Sequence, residues 1–283
     1  MRRISQLTAI CLGAAAVYAC SPDRVIPTEA IPTGGVRFIN ALPDSAGAGG
    51  LDFRFVDIVE SNAHFKIPFR NNPVASGGVT ASTLIEYKNT QAGSRHYRVF
   101  LNDTTAAGAS TVLFDGNIQV DAGKNYTVLV WGFARTGQTP AAKLTIIDES
   151  TITDPGTAVA LRVINATNAA IDVRHYLAGG TAPAAATWGN VAALTASSFV
   201  TVPVGTYMYN VRAAGGATAL FTDMQALVGA AKTVDIGALP GTSVGGSAVT
   251  LLVFPRSVAG SKAPQAAAFQ VTAGSFMWDR RPN

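Results

Sequence analysis

Cysteine is nearly absent from this chain, with two in 283 residues, Cys11 and Cys20. Both fall in the first twenty positions, so the rest of the chain can form no disulfide and must hold together by packing. Charge is scarce too: 13% of residues are charged and 48% are hydrophobic, which excludes a chain kept unfolded by its own charge density. Only three histidines occur, His64, His96 and His175, and no pair has the i,i+2 or i,i+4 spacing of a local metal site. The carboxylates Asp52, Asp57 and Glu60 lie close in sequence, but no D-x-D-x-D-G loop wraps a calcium ion around them. The pI near 9.2 has no basic run behind it, so no nucleic-acid partner is expected. After Cys20 no apolar run reaches the roughly 20 residues of a spanning helix.

What is present begins with MRRISQLTAICLGAAAVYAC. Arg2 and Arg3 form a positive start, Leu7 to Val17 is a short apolar run, and small residues lead to Cys20, the layout of an export signal. Val17-Tyr18-Ala19-Cys20 resembles the lipobox of bacterial lipoproteins, which implies cleavage before Cys20 and acylation of its sulfur. Cleavage removes Arg2 and Arg3 and no acid, leaving 21 − 2 = 19 bases against 17 acids, a net charge of about +2. Ser21 rather than Asp after the cysteine points, by the same resemblance, to the outer membrane of a bacterial cell envelope. Residues 21–35, SPDRVIPTEAIPTGG, are rich in Pro, Thr and Gly without periodicity and read as a tether.

From Val36 onward the chain repeats itself. VRFINA (36–41) matches LRVINA (161–166), and LDFRF (51–55) matches IDVRHY (171–176). GSRHYRV matches GTYMYNV, so that Tyr97 falls on Tyr209. TVLFDGN (111–117) matches TALFTDM (218–224), TVLVWGFAR (127–135) matches TLLVFPR (250–256), and LTIID (144–148) matches FMWD (276–279). Six blocks in one order indicate an internal duplication.

Each block reads as a strand. In VRFIN, Val36, Phe38 and Asn40 share one face, and Arg37 and Ile39 the other. TVLVW and TLLVF are continuous apolar runs, as in central strands of a sandwich. Asp115-Gly116 reads as a hairpin turn between TVLF and NIQV, and Asp121-Ala-Gly123 as a tight turn before NYTVLVW. TDMQALVGAA (222–231) is the best helix candidate, but its match to DGNIQVDAG favours a strand and turn. Short strands without helical crossovers predict an all-β fold of two tandem antiparallel sandwiches. The expected layout is a signal peptide at 1–19, a lipidated tether at 20–35 and sandwiches at 36–148 and 159–283. A linker at 149–158 is marked by Asp-Pro-Gly.

The VRFxNA opening strand, the LDF/IDV strand, the G-x-Y strand and the paired layout together resemble domain-of-unknown-function family 4397. The resemblance covers most of residues 36–281. It implies immunoglobulin-like sandwiches in a bacterial envelope protein, and it implies no catalytic residues.

Candidates for chemistry are few. Gly241-Thr-Ser243-Val-Gly245 fits the G-x-S-x-G elbow of serine hydrolases, but Pro240 before it and Gly246-Ser247 after it deny the strand-then-helix context that exposes the serine. Arg-His-Tyr occurs at 95–97 and 174–176, on strands that are not equivalent. Asp52-x-Arg54 and Asp172-x-Arg174 share a face at two-residue spacing and suggest exposed ion pairs. Trp131 and Phe254 occupy matching positions and suit packing. Asn-x-Thr sequons at Asn102, Asn125 and Asn165 carry no weight in a bacterial chain. Trp188, in a Thr-Trp-Gly stretch, and the end Trp278-Asp-Arg280-Arg281 are the candidates for contact with a glycan or an envelope protein. Sandwiches carry function in end loops, here 57–80, 178–195 and 240–248. The expectation is a non-enzymatic envelope lipoprotein with a binding or scaffolding role, membrane-bound through Cys20, with no cofactor, metal or catalytic residue. The alternatives are an accessory subunit on a larger membrane complex and, last, a hydrolase using Ser243.

Overall fold

The computed structural model describes residues 30–44, 50–58, 65–67 and 87–282. The expected signal peptide, Cys20, most of the expected tether, Glu60, His64 and most of the 57–80 loop lie outside the described residues. The first half supplies β1 (Thr33–Asn40), β2 (Leu51–Phe55), β3 (Phe65–Ile67) and β4 (Lys88–Gln91). It continues with β5 (Gly93–Leu101), β6 (Val112–Val120), β7 (Asn125–Trp131) and β8 (Lys143–Asp148). The second half begins with β9 (Val159–Asn165), β10 (Ile171–Leu177), β11 (Trp188–Val191) and β12 (Thr195–Ala196). Then follow β13 (Val200–Val202), β14 (Tyr207–Ala213), β15 (Met224–Gln225), β16 (Ala248–Phe254) and β17 (Ala273–Arg280). The one α-helix among the described residues, α1 (Ala106–Ala109), spans four residues. The chain is an all-β sandwich protein, and the 222–231 segment holds β15 rather than a helix.

The two halves share a plan. Their inner sheets run β4-β1-β7-β8 and β12-β9-β16-β17, the latter with β13 also on β9; their outer sheets run β3-β2-β5-β6 and β11-β10-β14-β15. The first strand of each half pairs in parallel with a later one, β1 with β7 and β9 with β16. Every other pairing of these strands is antiparallel, as expected of the sandwich. A parallel pair needs a long crossover, and the strands of the outer sheet supply it.

Period-two alternation decides what each inner strand touches. Val36 and Phe38 of β1 and Tyr126, Val128 and Val130 of β7 face the outer sheet of their half, with Phe53, Val99 and Val120. Leu161 and Val163 of β9 and Val249, Leu251 and Val253 of β16 face theirs, with Val173, Tyr209 and Val211. The other faces meet each other. Ile39, Ala41, Leu129 and Trp131 pack against Ile164, Ala166, Leu252, Phe254 and Met277 in a third core. The halves are therefore stacked inner sheet on inner sheet, in four layers. This is why TVLVW and TLLVF are apolar at successive positions: both faces of β7 and β16 are covered.

Of two turn-level readings, one changes. Asp115-Gly116 does not turn the chain but lies inside β6, with Gly116 opposite Tyr97 of β5. A Cβ on Gly116 would sit 2.8 Å from the Tyr97 hydroxyl, so the glycine serves a close side-chain approach. Asp121-Ala-Gly123 does turn, with Gly123 at φ +75. The closing strands also align one residue away from the LTIID/FMWD match. Thr127 pairs with Ile147, and Thr250 pairs with Met277, beside a bulge near the start of β16. Counting two residues on, Glu149 rather than Asp148 is the counterpart of Asp279.

Candidate functional site

Charge lies where the halves meet. Arg37 and Arg162, second in VRFINA and LRVINA, point away from their own cores into the shared interface, and both are buried. Arg37 Nε donates to Thr127 Oγ1 at 2.7 Å, Nη1 to the Trp278 carbonyl at 2.6 Å, and Nη2 to Asp279 Oδ1 at 2.5 Å and Glu149 Oε1 at 3.3 Å. Arg162 Nε donates to Thr250 Oγ1 at 2.8 Å, and Nη2 to both oxygens of Glu149 at 2.8 Å. Arg162 Nη2 also lies 3.1 Å from Asp279 Oδ1. Thr127 donates to Glu149, and Thr250 to Asp279. Two cations and two anions thus balance, each arginine with the threonine of its own half and the carboxylates shared. Burial pulls both arginine pKa values down, and the neighbouring carboxylates outweigh it, so the net shift is upward. The ring of Tyr87 lies 4.4 Å from the Arg37 guanidinium carbon, a cation–π contact. The cluster was not identified from the sequence. Its signal was an arginine at the same place in both opening strands, facing a surface that only burial explains.

The segment expected to be a linker begins with Glu149, whose side chain has no exposure. A 3-10 turn at Glu149–Thr151, capped by Asp148, aims that carboxylate inward.

The expected contact residues are mostly covered. Trp188 does not sit in an open loop but starts β11, is 6% exposed and belongs to the core of the second half. Its Nε1 donates to the Ser198 carbonyl at 3.2 Å, and its ring stacks against Tyr209. Trp278 is buried in β17 against Tyr87, with Arg281 over its ring at 4.5 Å. Arg280 bonds the Gly246 carbonyl at 2.5 Å and Asp154 at 2.6 Å. Of these four residues, only Arg281 is exposed.

Ser243 lies in a turn between β15 and β16, and its hydroxyl donates to the Val228 carbonyl at 2.5 Å. The glycines of G-x-S-x-G have a packing reason. A Cβ on Gly241 would strike the backbone of Val228 and Gly229, and one on Gly245 would lie 2.8 Å from the Thr157 carbonyl oxygen. His96 Nε2 is 2.5 Å from Asp115 Oδ1, and Arg98 Nε donates to the same carboxylate at 2.8 Å, on the outer face of β5 and β6. These partners hold the Asp115 carboxyl below its usual range. His175 is half-buried among Trp188, Tyr207 and Tyr209, with Nδ1 3.0 Å from Thr187 Oγ1. Burial lowers its pKa.

The paired Asp-x-Arg motifs part ways. Arg54 does reach Asp52, at 2.5 Å, although Asp52 itself is buried rather than exposed. Asp172 instead accepts from the amides of Asn190, at 2.8 Å, and Gly215, at 3.0 Å, while Arg174 donates to the Ala184 carbonyl. Those two amides lower the Asp172 pKa. Asn190 itself lies at φ +51, a left-handed conformation that asparagine tolerates. Trp131 and Phe254 pack in the shared core as expected. Among the sequons, Asn165 is buried and donates to the carbonyls of Ala169, Val191 and Ala192.

A cleft of about 630 Å³ lies at the end of the stack where β1 and β9 finish. Phe133, Ile171, Leu220 and Pro255 give it apolar walls, and Asn168 and Arg256 give it polar ones. It lay outside every loop singled out from the sequence, because segments far apart in the second half, joined by Phe133 of the first, come together to form it. Among the described residues, no three His, Cys, Asp or Glu side chains are placed to hold a metal ion.

No curated protein matches the chain. A family model described as Domain of unknown function (DUF4397) matches residues 34–176, from the second residue of β1 through the first half and on into β10. With that match over half its length, and with the opening strand VRFINA placed as the inner strand of a sandwich, the chain belongs to the DUF4397 family.

Proposed function

We propose that the protein is a non-enzymatic lipoprotein of the bacterial cell envelope, anchored through acylated Cys20, whose stacked sandwiches serve a binding or scaffolding role. The observation that carries this reading is the run from Arg2-Arg3 through a short apolar segment to Val17-Tyr18-Ala19-Cys20, followed by a Pro/Thr/Gly tether that leads into β1 at Thr33. Two acyl chains suffice for stable attachment, and the body needs no sulfur bridge because three apolar cores and a buried charge cluster hold it together. Ser243 lacks the elbow geometry of a nucleophile, which supports a binding role over hydrolysis. The cleft at the far end of the stack is a site of the size that small ligands occupy.

Two measurements test the proposal. Cells expressing the full chain and fed labelled palmitate should yield labelled protein, and Cys20→Ser should abolish the label. Purification in mild detergent should then return the protein without a stoichiometric partner; a fixed partner would make it an accessory subunit instead. Labelling by a fluorophosphonate at Ser243 would overturn the non-enzymatic reading.

A further inference from the structure

The two halves lie with corresponding ends together. Arg37 of β1 and Arg162 of β9 share Glu149 at the middle of their strands. Beyond the strand finishes, the Val258 amide donates to the Pro43 carbonyl at 2.8 Å, and Arg135 donates to the Gly260 carbonyl at 3.1 Å. One end of the body therefore gathers the starts of β1 and β9, and the cleft occupies the other. The tether joins the body at the first of these ends, where the Thr33 carbonyl accepts from Gly123.

Exposed apolar side chains gather at the same end. Among the described residues of Pro32–Asn283, nine large hydrophobics are exposed, and only Val112 and Val271 lie toward the cleft end. Val56 and Ile58 follow β2 beside Arg95, which is bonded to Thr90 and Gln91 next to the start of β1. Leu177 closes β10 opposite Tyr207, and Val204 precedes Gly205, whose amide donates to the Thr242 carbonyl.

The other three belong to a projecting hairpin. Ala230 and Leu239 exchange backbone hydrogen bonds of 3.1 and 2.8 Å, and Thr233 donates to the Ile236 carbonyl at 2.9 Å, leaving Val234-Asp235 at the tip. Val234 is 101% exposed, Ile236 60% and Leu239 55%. Gly229 and Gly241 pack backbone to backbone at the neck. The hairpin is an addition to the shared plan. Between β6 and β7 the first half uses four residues, 121–124, whereas between β15 and β16 the second uses 22, 226–247. The first half closes its sandwich without such an arm, so the fold does not require it.

We propose that this end of the body rests on the bilayer, with the 229–241 hairpin entering the interface as a second, shallow attachment beside the lipid. The inference rests on the Cys20 anchor. Thirteen residues from Cys20 to Thr33 reach at most about 45 Å when extended, and they join the body at this end and not at the cleft. A side chain of Val, Ile or Leu left in water is unfavourable, and partition into the interface relieves that. Asp235 at the turn and Lys232 beside it limit the depth to the headgroup region. The cleft is then held pointing away from the membrane.

The test uses the full acylated chain in vesicles of phosphatidylethanolamine and phosphatidylglycerol at 3:1. An environment-sensitive fluorophore is placed on Val234→Cys and, separately, on Ala259→Cys at the cleft end. The expected result is a blue-shifted emission at 234, quenched to less than half by lipids carrying a nitroxide near the headgroup, with no change at 259. Peptide mass mapping of the same sample reads acylation of Cys20. Acylated protein with an unquenched 234 probe, or with equal quenching at both positions, overturns the inference and leaves the anchor standing. A quenched 234 probe on protein that is not acylated supports the hairpin and removes the anchor. An unquenched probe without acylation defeats both.

Discussion

Arg37 and Arg162 stand 125 positions apart in the chain, and both donate to the same oxygen of Glu149, at 3.3 and 2.8 Å. Neither belongs to a core of its own half. The pair shows that the repeated strand has two tasks: the face carrying its first and third residues builds a sandwich, and the face carrying its second, fourth and sixth builds the junction between sandwiches. Every letter of VRFINA and LRVINA finds a place under that division. The first and third residues enter the core of each half, the second enters the charge cluster, and the fourth and sixth enter the shared core. The fifth, Asn40 or Asn165, accepts from an amide two residues on.

Breaking the cluster should be severe. Removing one partner from a buried ion pair leaves an uncompensated charge and typically costs about 3–5 kcal/mol. Arg37→Ala and Glu149→Ala should each lower the unfolding free energy by that amount in urea titration. Arg54→Ala, at a half-exposed pair, should change it by less than about 1 kcal/mol. Equal effects at the two sites would remove the cluster from its structural role.

Trp188 should behave as core. Trp188→Ala is expected to cost about 3–5 kcal/mol, with the loss visible in thermal unfolding. A variant that keeps wild-type stability but loses binding to a glycan would instead restore Trp188 as a contact residue.

His175 should make stability depend on pH. Its folded pKa is lowered by burial, so below the ordinary histidine value, near 6.5, the unfolded chain binds the proton more readily. Unfolding free energy should therefore be fully present above about pH 6.5 and fall as the pH drops through the unfolded value toward the folded one. Denaturant titrations from pH 5 to 8 should show this slope, and His175→Gln should remove its share of it.

The G-x-S-x-G stretch should fail through its glycines and not through its serine. Gly245→Ala places a Cβ against the Thr157 backbone, and such overpacking costs roughly 1–3 kcal/mol. Ser243→Ala removes one exposed hydrogen bond, worth about 0.5–1.5 kcal/mol. Chemical denaturation of the two variants should rank them in that order.

Much of the fold was legible because alternation is local. A strand exposes its two faces at successive residues, so VRFIN, TVLVW and TLLVF declared themselves, and their order declared an all-β sandwich. The Asp115-Gly116 turn misled for an equally local reason: the dipeptide marks a hairpin only when nothing across the strand needs the space, and Tyr97 does. The closing strands slipped by one residue because a bulge cannot be read from one strand alone, and that slip hid Glu149 behind Asp148. Trp188 looked open because the Ala- and Thr-rich stretch around it resembles a loop, while its partners Tyr209 and Ser198 come from elsewhere in the chain.

The sequence by itself determined which residues share a face, that a turn falls at Asp121-Ala-Gly123, and that no sulfur bridge holds the body. The tertiary structure alone decided what covers each face. Hydrophobic periodicity reports that a surface is buried but carries no information about the surface opposite, so the stacking of the two inner sheets, the pairing of Arg37 and Arg162 across it, and the end that gathers the exposed apolar hairpin emerge only when distant segments meet.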